Sequence, residues 1–277
     1  MRYLIWLFFA ICLFATGDAS YPGGVAIVPL GEFGKSAPIA HLGGARVRVE
    51  RLDGEWTAIV GVAIDTKEGS TQTIVYETAD GKRMEAKFAV GKKSYPTQKL
   101  KVDDRFVELN ASTLERAQSE QQEMRSALAV FGDRHSQLRM RLPLVAPISG
   151  YFGSRRVFNG KPKRPHSGMD LAAPKGTTIA APQDGSVALA KNLYFCGNSV
   201  LIDHGEGLFT LFCHMDTIAV SKGSEVLAGD ELGSVGSTGR VTAAHLHWSV
   251  GLNGAWIDPL LLLDANETRA IQTVRNR

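Results

Sequence analysis

Three histidines and one aspartate stand in two short stretches that together could bind a metal ion. The first stretch is His166-Ser-Gly-Met-Asp170 and the second is His245-Leu-His247. Imidazole nitrogens and a carboxylate oxygen are ligands of catalytic zinc sites, which use three protein ligands and leave the fourth position open. A structural zinc site would use four protein ligands, usually with thiolates. The sequence therefore predicts an open metal site with one histidine to spare.

Both stretches favour an extended backbone. The segment from His245 to Val250 alternates in character and lacks helix formers, so it predicts a strand in which both imidazoles face one side. His166 and Asp170 could share a helix face, but Pro165 and Gly168 argue against a helix. Even spacing puts both side chains on one face of an extended segment as well. A single His-x-His on a strand is more often solvent-facing or partnered in a core, so the pair alone would not indicate a metal.

A third motif, Phe212-Cys-His214-Met, lies between the two stretches in chain order. The three motifs, on separate predicted strands, resemble those of the lysostaphin-like zinc endopeptidases, peptidase family M23. The resemblance covers roughly residues 142–263. It implies that zinc is held by three residues and that a water takes the fourth position. These ligands would be His166, Asp170 and His247.

The resemblance also implies the chemistry of this site. Zinc lowers the pKa of its water and polarises a peptide carbonyl. His214 and His245 match the family's two histidines that are not ligands. One would take or relay the proton of the water, and one or both would donate to the oxyanion, but the sequence does not divide these roles. The ligand types alone also admit other divalent metals.

The loop before the first ligand, residues 151–163, is basic and is a candidate for lining the substrate cleft. Within this loop we single out Arg156 and Asn159 as candidate substrate-binding residues. A solvated basic loop would have the same composition, so this alternative stays open.

The family acts on cell walls, so the resemblance implies a zinc-dependent endopeptidase that hydrolyses cross-links or stem peptides of bacterial peptidoglycan. The exit of the N-terminal region, from Tyr95-Pro96 to Val102, also resembles the domain that precedes the peptidase in many Gram-negative members. This architecture favours a DD-endopeptidase that cuts between D-Ala and diaminopimelate over one that cuts pentaglycine bridges. In related enzymes the preceding domain can cover the cleft, and we expect such intramolecular occlusion here.

Two other functions are compatible with parts of the sequence. The first is a non-catalytic regulator or scaffold that activates another wall hydrolase, but such family members usually lack the metal ligands that this chain keeps. The second is a wall-binding module. Its only support is the basic pI of about 8.7 and a hairpin at residues 223–239 that looks like that of biotinyl or lipoyl carrier modules. We expect peptidoglycan peptides as partners and no nucleic acid.

Residues 1–19 have the pattern of a signal peptide. Arg2 supplies the positive start, an apolar run follows from Tyr3 to Ala15, and small residues end the segment at Ala19. The run is short for a membrane span. We therefore expect export to the periplasm or the extracellular space and no stable membrane insertion after cleavage, with an uncleaved anchor as the alternative.

Alternating hydrophobicity and turn signals predict a mostly β chain. Residues 20–107 are predicted to form a small β-sandwich with turns at Asp53-Gly54, Glu68-Gly69 and Asp80-Gly81. Residues 142–265 are predicted to form an antiparallel β-sheet peptidase domain, and residues 266–277 a C-terminal tail.

Residues 108–141 are predicted to form a helical linker that packs against one or both domains. Ser112-x-x-Glu115 fits a capping box at the helix start. The apolar positions then recur at intervals of mostly three and four, on one predicted face: Leu114, Ala117, Met124, Leu128 and Phe131.

Two cysteines remain after removal of the signal segment, Cys196 and Cys213. In an exported protein such a pair predicts a disulfide, with two buried free thiols as the alternative. Cys213 precedes His214 on a predicted strand, so it faces away from that histidine and is a poor ligand candidate. His41 and His135 are predicted as loop residues, and His204 as a turn residue with a hydrogen-bonding role.

Overall fold

The computed structural model describes residues 19–100 and 110–275. The predicted signal segment lies outside the described residues except for Ala19, and so do the first residues of the predicted linker. In these two described ranges, no helix is long and apolar enough to cross a membrane. The predicted class, mostly β with one intervening helix, is confirmed.

Before the first helix, the described residues form seven strands, as the alternating hydrophobicity of the sequence predicts. Their bounds are β1 Val25–Gly31, β2 Ile39–Leu42, β3 Ala45–Leu52, β4 Glu55–Gly61, β5 Thr71–Glu77, β6 Arg83–Ala89 and β7 Thr97–Leu100. The first six form one antiparallel sheet in the order β1-β4-β3-β2-β5-β6, and β1 approaches β6. Within this region β3 pairs with β2 at its start and with β4 at its end.

The helix α1, Ala111–Leu128, begins at a different cap from the predicted one. The side chain of Asn110 accepts a hydrogen bond from the amide of Thr113, at 2.9 Å, and Ser112 lies inside the first turn. Asn is as good an N-cap as Ser, and here it comes first, so the predicted capping box is wrong.

The predicted apolar face of α1 is only partly buried. Ala117 and Leu128 are buried, but Leu114 is 44% exposed, and Phe131 lies beyond the end of the helix. Leu128 packs against Leu189 and Phe209, which lie on strands of the β region that follows α1.

The second β region follows α1 and ends in another helix. Its bounds are β8 Ile148–Gly150, β9 Arg155–Phe158, β10 Lys161–Pro162, β11 Met169–Leu171, β12 Thr178–Ala180, β13 Gly185–Leu193, β14 Gly197–Gly205, β15 Leu208–Ile218, β16 Glu225–Val226, β17 Glu231–Val235, β18 Leu246–Leu252, β19 Ala255–Ile257 and α2 Ala265–Arg275. The main sheet has the antiparallel order β16-β13-β14-β15-β18-β11-β8. The predicted tail is mostly the helix α2, because Asp264 accepts hydrogen bonds from the amides of Asn266 and Glu267 and so starts a helix there.

The N-terminal sheet packs directly on the second β region. Val25 and Ile59 belong to the same buried cluster as the core of the main sheet. Gly61 and Asn253 exchange two hydrogen bonds, of 2.7 and 3.2 Å. The fully buried guanidinium of Arg48 lies 3.0 Å from Glu206 across this junction.

Candidate metal centre

Asp170 and His247 face each other across two paired strands. β11 pairs with β18 in a register that places these two residues opposite one another. On the other side of β11, Gly150 of β8 lies so close that an added Cβ would sit 2.3 Å from Oδ2 of Asp170. A glycine there lets the strand approach the carboxylate.

His166 reaches the same place from the segment before β11. Its amide donates to the carbonyl of Ser154, at 3.0 Å, and its carbonyl accepts from the amide of Gly153, at 2.8 Å. Its ring Nδ1 lies 3.0 Å from the carbonyl oxygen of Tyr151. The loop of residues 151–154 therefore holds both the backbone and the ring of this histidine.

Three side-chain atoms from these residues converge. Oδ1 of Asp170 lies 2.9 Å from Nε2 of His166 and 2.8 Å from Nδ1 of His247. The two nitrogens are 3.0 Å apart. All three residues are buried, and the structure thus brings the three predicted ligands together.

Hydrogen bonds on the far ring nitrogens determine which atoms carry lone pairs. Nδ1 of His166 donates to Tyr151, which leaves the lone pair on Nε2. Nε2 of His247 lies 2.9 Å from Oγ of Ser249, and donation there leaves the lone pair on Nδ1. Two lone pairs and a carboxylate oxygen then face one point, which suits a cation and is repulsive without one. The donor set therefore fits a divalent metal.

The environment keeps Asp170 and His247 in the protonation states that a metal needs. Burial lowers the pKa of His247 below its ordinary value, although Asp170 acts against this shift. Burial acts to raise the pKa of Asp170, but the two imidazoles beside its carboxylate, those of His166 and His247, outweigh it and hold that pKa well below its usual range. A carboxylate and a neutral imidazole are thus favoured at neutral pH.

The two remaining predicted histidines line the same site. Nδ1 of His214 lies 3.0 Å from the carbonyl oxygen of Thr238, and Nδ1 of His245 lies 3.0 Å from that of Ala243. Their ring centres are 4.9 Å apart. Nε2 of His245 is 3.7 Å from Oδ1 of Asp170. In both rings the backbone holds Nδ1 and leaves Nε2 for chemistry.

His214 also has an unusual backbone. Its φ is 66°, in the left-handed region, which costs roughly 1–3 kcal/mol for a residue with a side chain. Its amide donates to the carbonyl of Cys196, at 2.7 Å, which helps to hold this conformation. Burial and the neighbouring His247 lower the pKa of His214 to about 3. At neutral pH its imidazole is therefore uncharged, and its lone pair is on Nε2 because Nδ1 donates to Thr238.

The two candidate substrate-binding residues have different surroundings. Nη2 of Arg156 lies 3.1 Å from Oδ2 of Asp170, so this arginine contacts a candidate ligand directly. Asn159 forms the turn between β9 and β10 with Gly160, at φ values of 49° and 80°. An Asn-Gly pair is favoured in such a hairpin turn. The turn therefore explains why an asparagine stands here, whether or not it binds substrate. The substrate-binding role of both residues stays a prediction.

The site also depends on residues that the sequence analysis missed. Ser249 lies two positions after His247 on β18 and faces the same side, so strand periodicity alone would have found it. The contact with the carbonyl of Tyr151 could not be predicted in this way, because every residue type has a backbone carbonyl.

Cys213 lies opposite His247 in the register of β15 and β18, but neither cysteine belongs to the group of converging ligand atoms. Cys196 and Cys213 are free thiols. Burial, with a hydrogen bond to Cys196, raises the pKa of the Cys213 thiol. His204 is fully buried and hydrogen-bonded to Asp184 and Thr210, in agreement with its predicted hydrogen-bonding role, although it lies in β14.

His135 has a side chain that is 73% exposed, as expected of a loop residue. His41 lies in β2, so its prediction as a loop residue is wrong. The Gly43-Gly44 pair that suggested a loop forms the turn directly after this strand.

Comparison with known proteins adds two family matches. Residues 164–259 match the model of peptidase family M23, and residues 18–93 match that of the peptidase family M23 N-terminal domain. A crystal structure described as a putative peptidase M23 from Pseudomonas aeruginosa is 37% identical, with a TM-score of 0.74. The alignment covers 88% of this chain and 95% of that one.

Two curated relatives match the chain over a shorter length. The peptidoglycan DD-endopeptidase ShyA of Vibrio cholerae is 37% identical over 126 residues, which are 44% of this chain and 29% of that protein. The DD-carboxypeptidase/endopeptidase Mpg of Neisseria meningitidis is 39% identical over 119 residues, which are 43% and 27%. The chain thus spans less than a third of the length of these relatives.

Proposed function

Because this chain belongs to peptidase family M23, we propose that it is a zinc-dependent endopeptidase that hydrolyses peptide bonds in bacterial peptidoglycan. The observation that carries the proposal is the convergence of His166 Nε2, Asp170 Oδ1 and His247 Nδ1. The names of the two relatives, which describe DD-endopeptidases, support DD-endopeptidase activity, and we propose the bond between D-Ala and diaminopimelate as the one cut. Zinc is the proposed ion because two imidazoles and one carboxylate form a ligand set of catalytic zinc sites.

The roles of the residues follow from their contacts. His166, Asp170 and His247 hold the ion, which when bound supplies a Lewis acid and an activated water. His214 is uncharged at neutral pH and takes or relays a proton. His245 donates from Nδ1 to Ala243 and has Nε2 on the side of Asp170, so that its protonated ring is placed to donate to the developing oxyanion.

Export is the second part of the proposal. Residues 1–19 direct the chain to the periplasm, and Cys196 and Cys213 form a disulfide there. The N-terminal β region is proposed to restrict access to the cleft. At saturating zinc, a chain that begins near Leu142 should then cleave faster than the mature chain, provided that thermal unfolding shows it to be folded. An equal or lower rate removes this part of the proposal.

The proposal is tested on protein that lacks residues 1–19. Metal content is measured by mass spectrometry, and purified peptidoglycan is digested and its released muropeptides are analysed by mass. About one zinc per chain together with new peptide ends is the expected result. His247→Ala should lose both the metal and the hydrolysis, whereas His135→Ala, which changes an exposed histidine, should keep both.

Two results would contradict the enzyme. Zinc binding without cleavage, in the mature and in the shortened chain, would favour the non-catalytic regulator. A His247→Ala variant that still cleaves would show that the predicted site is not the one used.

A further inference from the structure

Tyr95 belongs to the N-terminal region but lies against the loop that holds a candidate metal ligand. Its hydroxyl donates to the carbonyl of Pro22, at 2.6 Å. The edge of its ring meets the ring of Phe152, with centres 6.1 Å apart and planes at 69°. Tyr95 therefore connects the start of the described chain to residues 151–154.

The Tyr95 ring also lies against the backbone of Gly153. A Cβ added to Gly153 would lie 2.2 Å from two ring carbons of Tyr95. Gly153 also has a φ of 77°, which residues with side chains rarely adopt. The ring thus rests on bare backbone, a contact that any side chain at this position would prevent.

The same loop holds His166 by three hydrogen bonds. Gly153, Ser154 and Tyr151 each bond to His166, at 2.8, 3.0 and 3.0 Å, and the last of these bonds orients the ring. A shift of Gly153 would therefore move the ring of this ligand as well as its backbone.

A second contact joins the two segments just beyond this point. The amide of Arg155 donates to the carbonyl of Pro96, at 2.8 Å. β7 then runs parallel to β9 from Thr97 opposite Arg155 to Leu100 opposite Phe158. The segment that begins at Tyr95 thus contacts the loop at Gly153 and continues beside it as a paired strand.

From these contacts we propose that Tyr95 is a positioning residue for the metal site: it presses on Gly153 and so holds His166 towards Asp170 and His247. This inference rests on the metal site of the proposed function. Burial and the nearby Asp258 raise the pKa of Tyr95, so its hydroxyl stays protonated and keeps donating to Pro22.

The test measures metal binding without substrate in the full mature chain. Zinc affinity is obtained by competition with a chromogenic chelator, and the coordination of Co²⁺ is followed by its visible absorption. Tyr95→Ala should lower zinc affinity by about tenfold, the low end of what loss of support around a ligand costs, and should alter the Co²⁺ spectrum. Tyr95→Phe keeps the ring on Gly153 and should retain most of the affinity.

Tyr76 provides the matched control. Its hydroxyl also donates to a backbone carbonyl, that of Leu30 at 2.7 Å, but inside the N-terminal core. Tyr76→Phe and Tyr76→Ala should leave zinc affinity and the Co²⁺ spectrum unchanged wherever thermal unfolding shows folded protein. If Tyr95→Ala does not fold, Tyr95→Leu replaces it with the same expectation, against Tyr76→Leu.

The outcomes separate this inference from the proposed function. A folded Tyr95 variant with unaltered zinc affinity and Co²⁺ spectrum would overturn the positioning role alone. An equal loss of affinity in the folded Tyr76 variants would also overturn it, because affinity would then follow overall stability. Failure of the unaltered chain to bind zinc would overturn the proposed function.

Discussion

Nη2 of Arg156 lies 3.1 Å from Oδ2 of Asp170, while Oδ1 of the same carboxylate contacts His166 and His247. One carboxylate therefore joins a guanidinium to the candidate metal ligands. A charge-assisted hydrogen bond of this kind restricts the rotation of the carboxylate and keeps it ionised. Arg156 was a candidate for binding substrate, and the structure adds a contact through which it would support the metal site.

Replacing Arg156 separates these two roles. If the guanidinium orients Asp170, Arg156→Ala should lower zinc affinity by about tenfold, since loss of a partner of a ligand typically costs 10- to 100-fold. Arg155→Ala, which changes the exposed neighbouring arginine, should leave affinity near that of the unaltered chain. Chelator competition measures both. A raised KM with unaltered zinc affinity would instead assign Arg156 to the substrate.

Ser249 should set the tautomer of His247. Ser249→Ala removes the partner of Nε2 and leaves a buried N–H unpaired, so that the tautomer with its lone pair on Nδ1 is no longer favoured. We expect about a tenfold loss of zinc affinity by chelator competition. Ser199→Ala removes an equally buried hydroxyl, bonded to Gly197 in β14, and should not change affinity. Equal affinities of the two variants would show that Ser249 does not direct the imidazole.

His204 should make the protein less stable in acid. Burial lowers the pKa of His204 to about 4, below the value of 6.5 expected in the unfolded chain. The unfolded state therefore binds the proton first, and the stabilisation present above pH 6.5 is lost progressively as the pH falls towards 4. The loss should reach about 3 kcal/mol.

The measurement for His204 is the free energy of unfolding by denaturant at a series of pH values. In His204→Gln this contribution is missing, so the curves of the unaltered chain and the variant should converge as the pH falls. Parallel curves between pH 6.5 and 4 would show that His204 is protonated equally in both states.

The predicted disulfide is testable by thiol titration. Cys196 and Cys213 lie in contact as free thiols in the structure, and an oxidising compartment should join them. Mature protein isolated from such a compartment should show no free thiol after denaturation. Reduction should lower the free energy of unfolding by roughly 3 kcal/mol, the value for a loop of about this length. Two free thiols in the isolated protein would contradict the prediction.

Local patterns in the sequence determined most of the strands and the candidate ligands. The segment around His245 and His247 was predicted as a strand, and β18 runs through it because residues two apart share a face whatever the strand packs against. Boundaries were less certain where two local signals competed, as when Asn110 capped α1 in place of Ser112. The helix α2 was not predicted. The predicted boundary between residues 265 and 266 separated the cap, Asp264, from most of the helix that it starts.

Only the tertiary structure decided which residues support the site. The carbonyl of Tyr151 holds His166, Arg156 faces Asp170, and Tyr95 rests on Gly153. Arg156 and Asp170 lie on different strands, so their contact depends on strand register. Tyr95 and Gly153 come from different regions, so their contact depends on how the N-terminal region packs on the second β region. A shift of one residue in register would send each strand side chain to the opposite face. The sequence therefore determines which residue types could bind a metal, whereas tertiary packing determines which residues contact and support them.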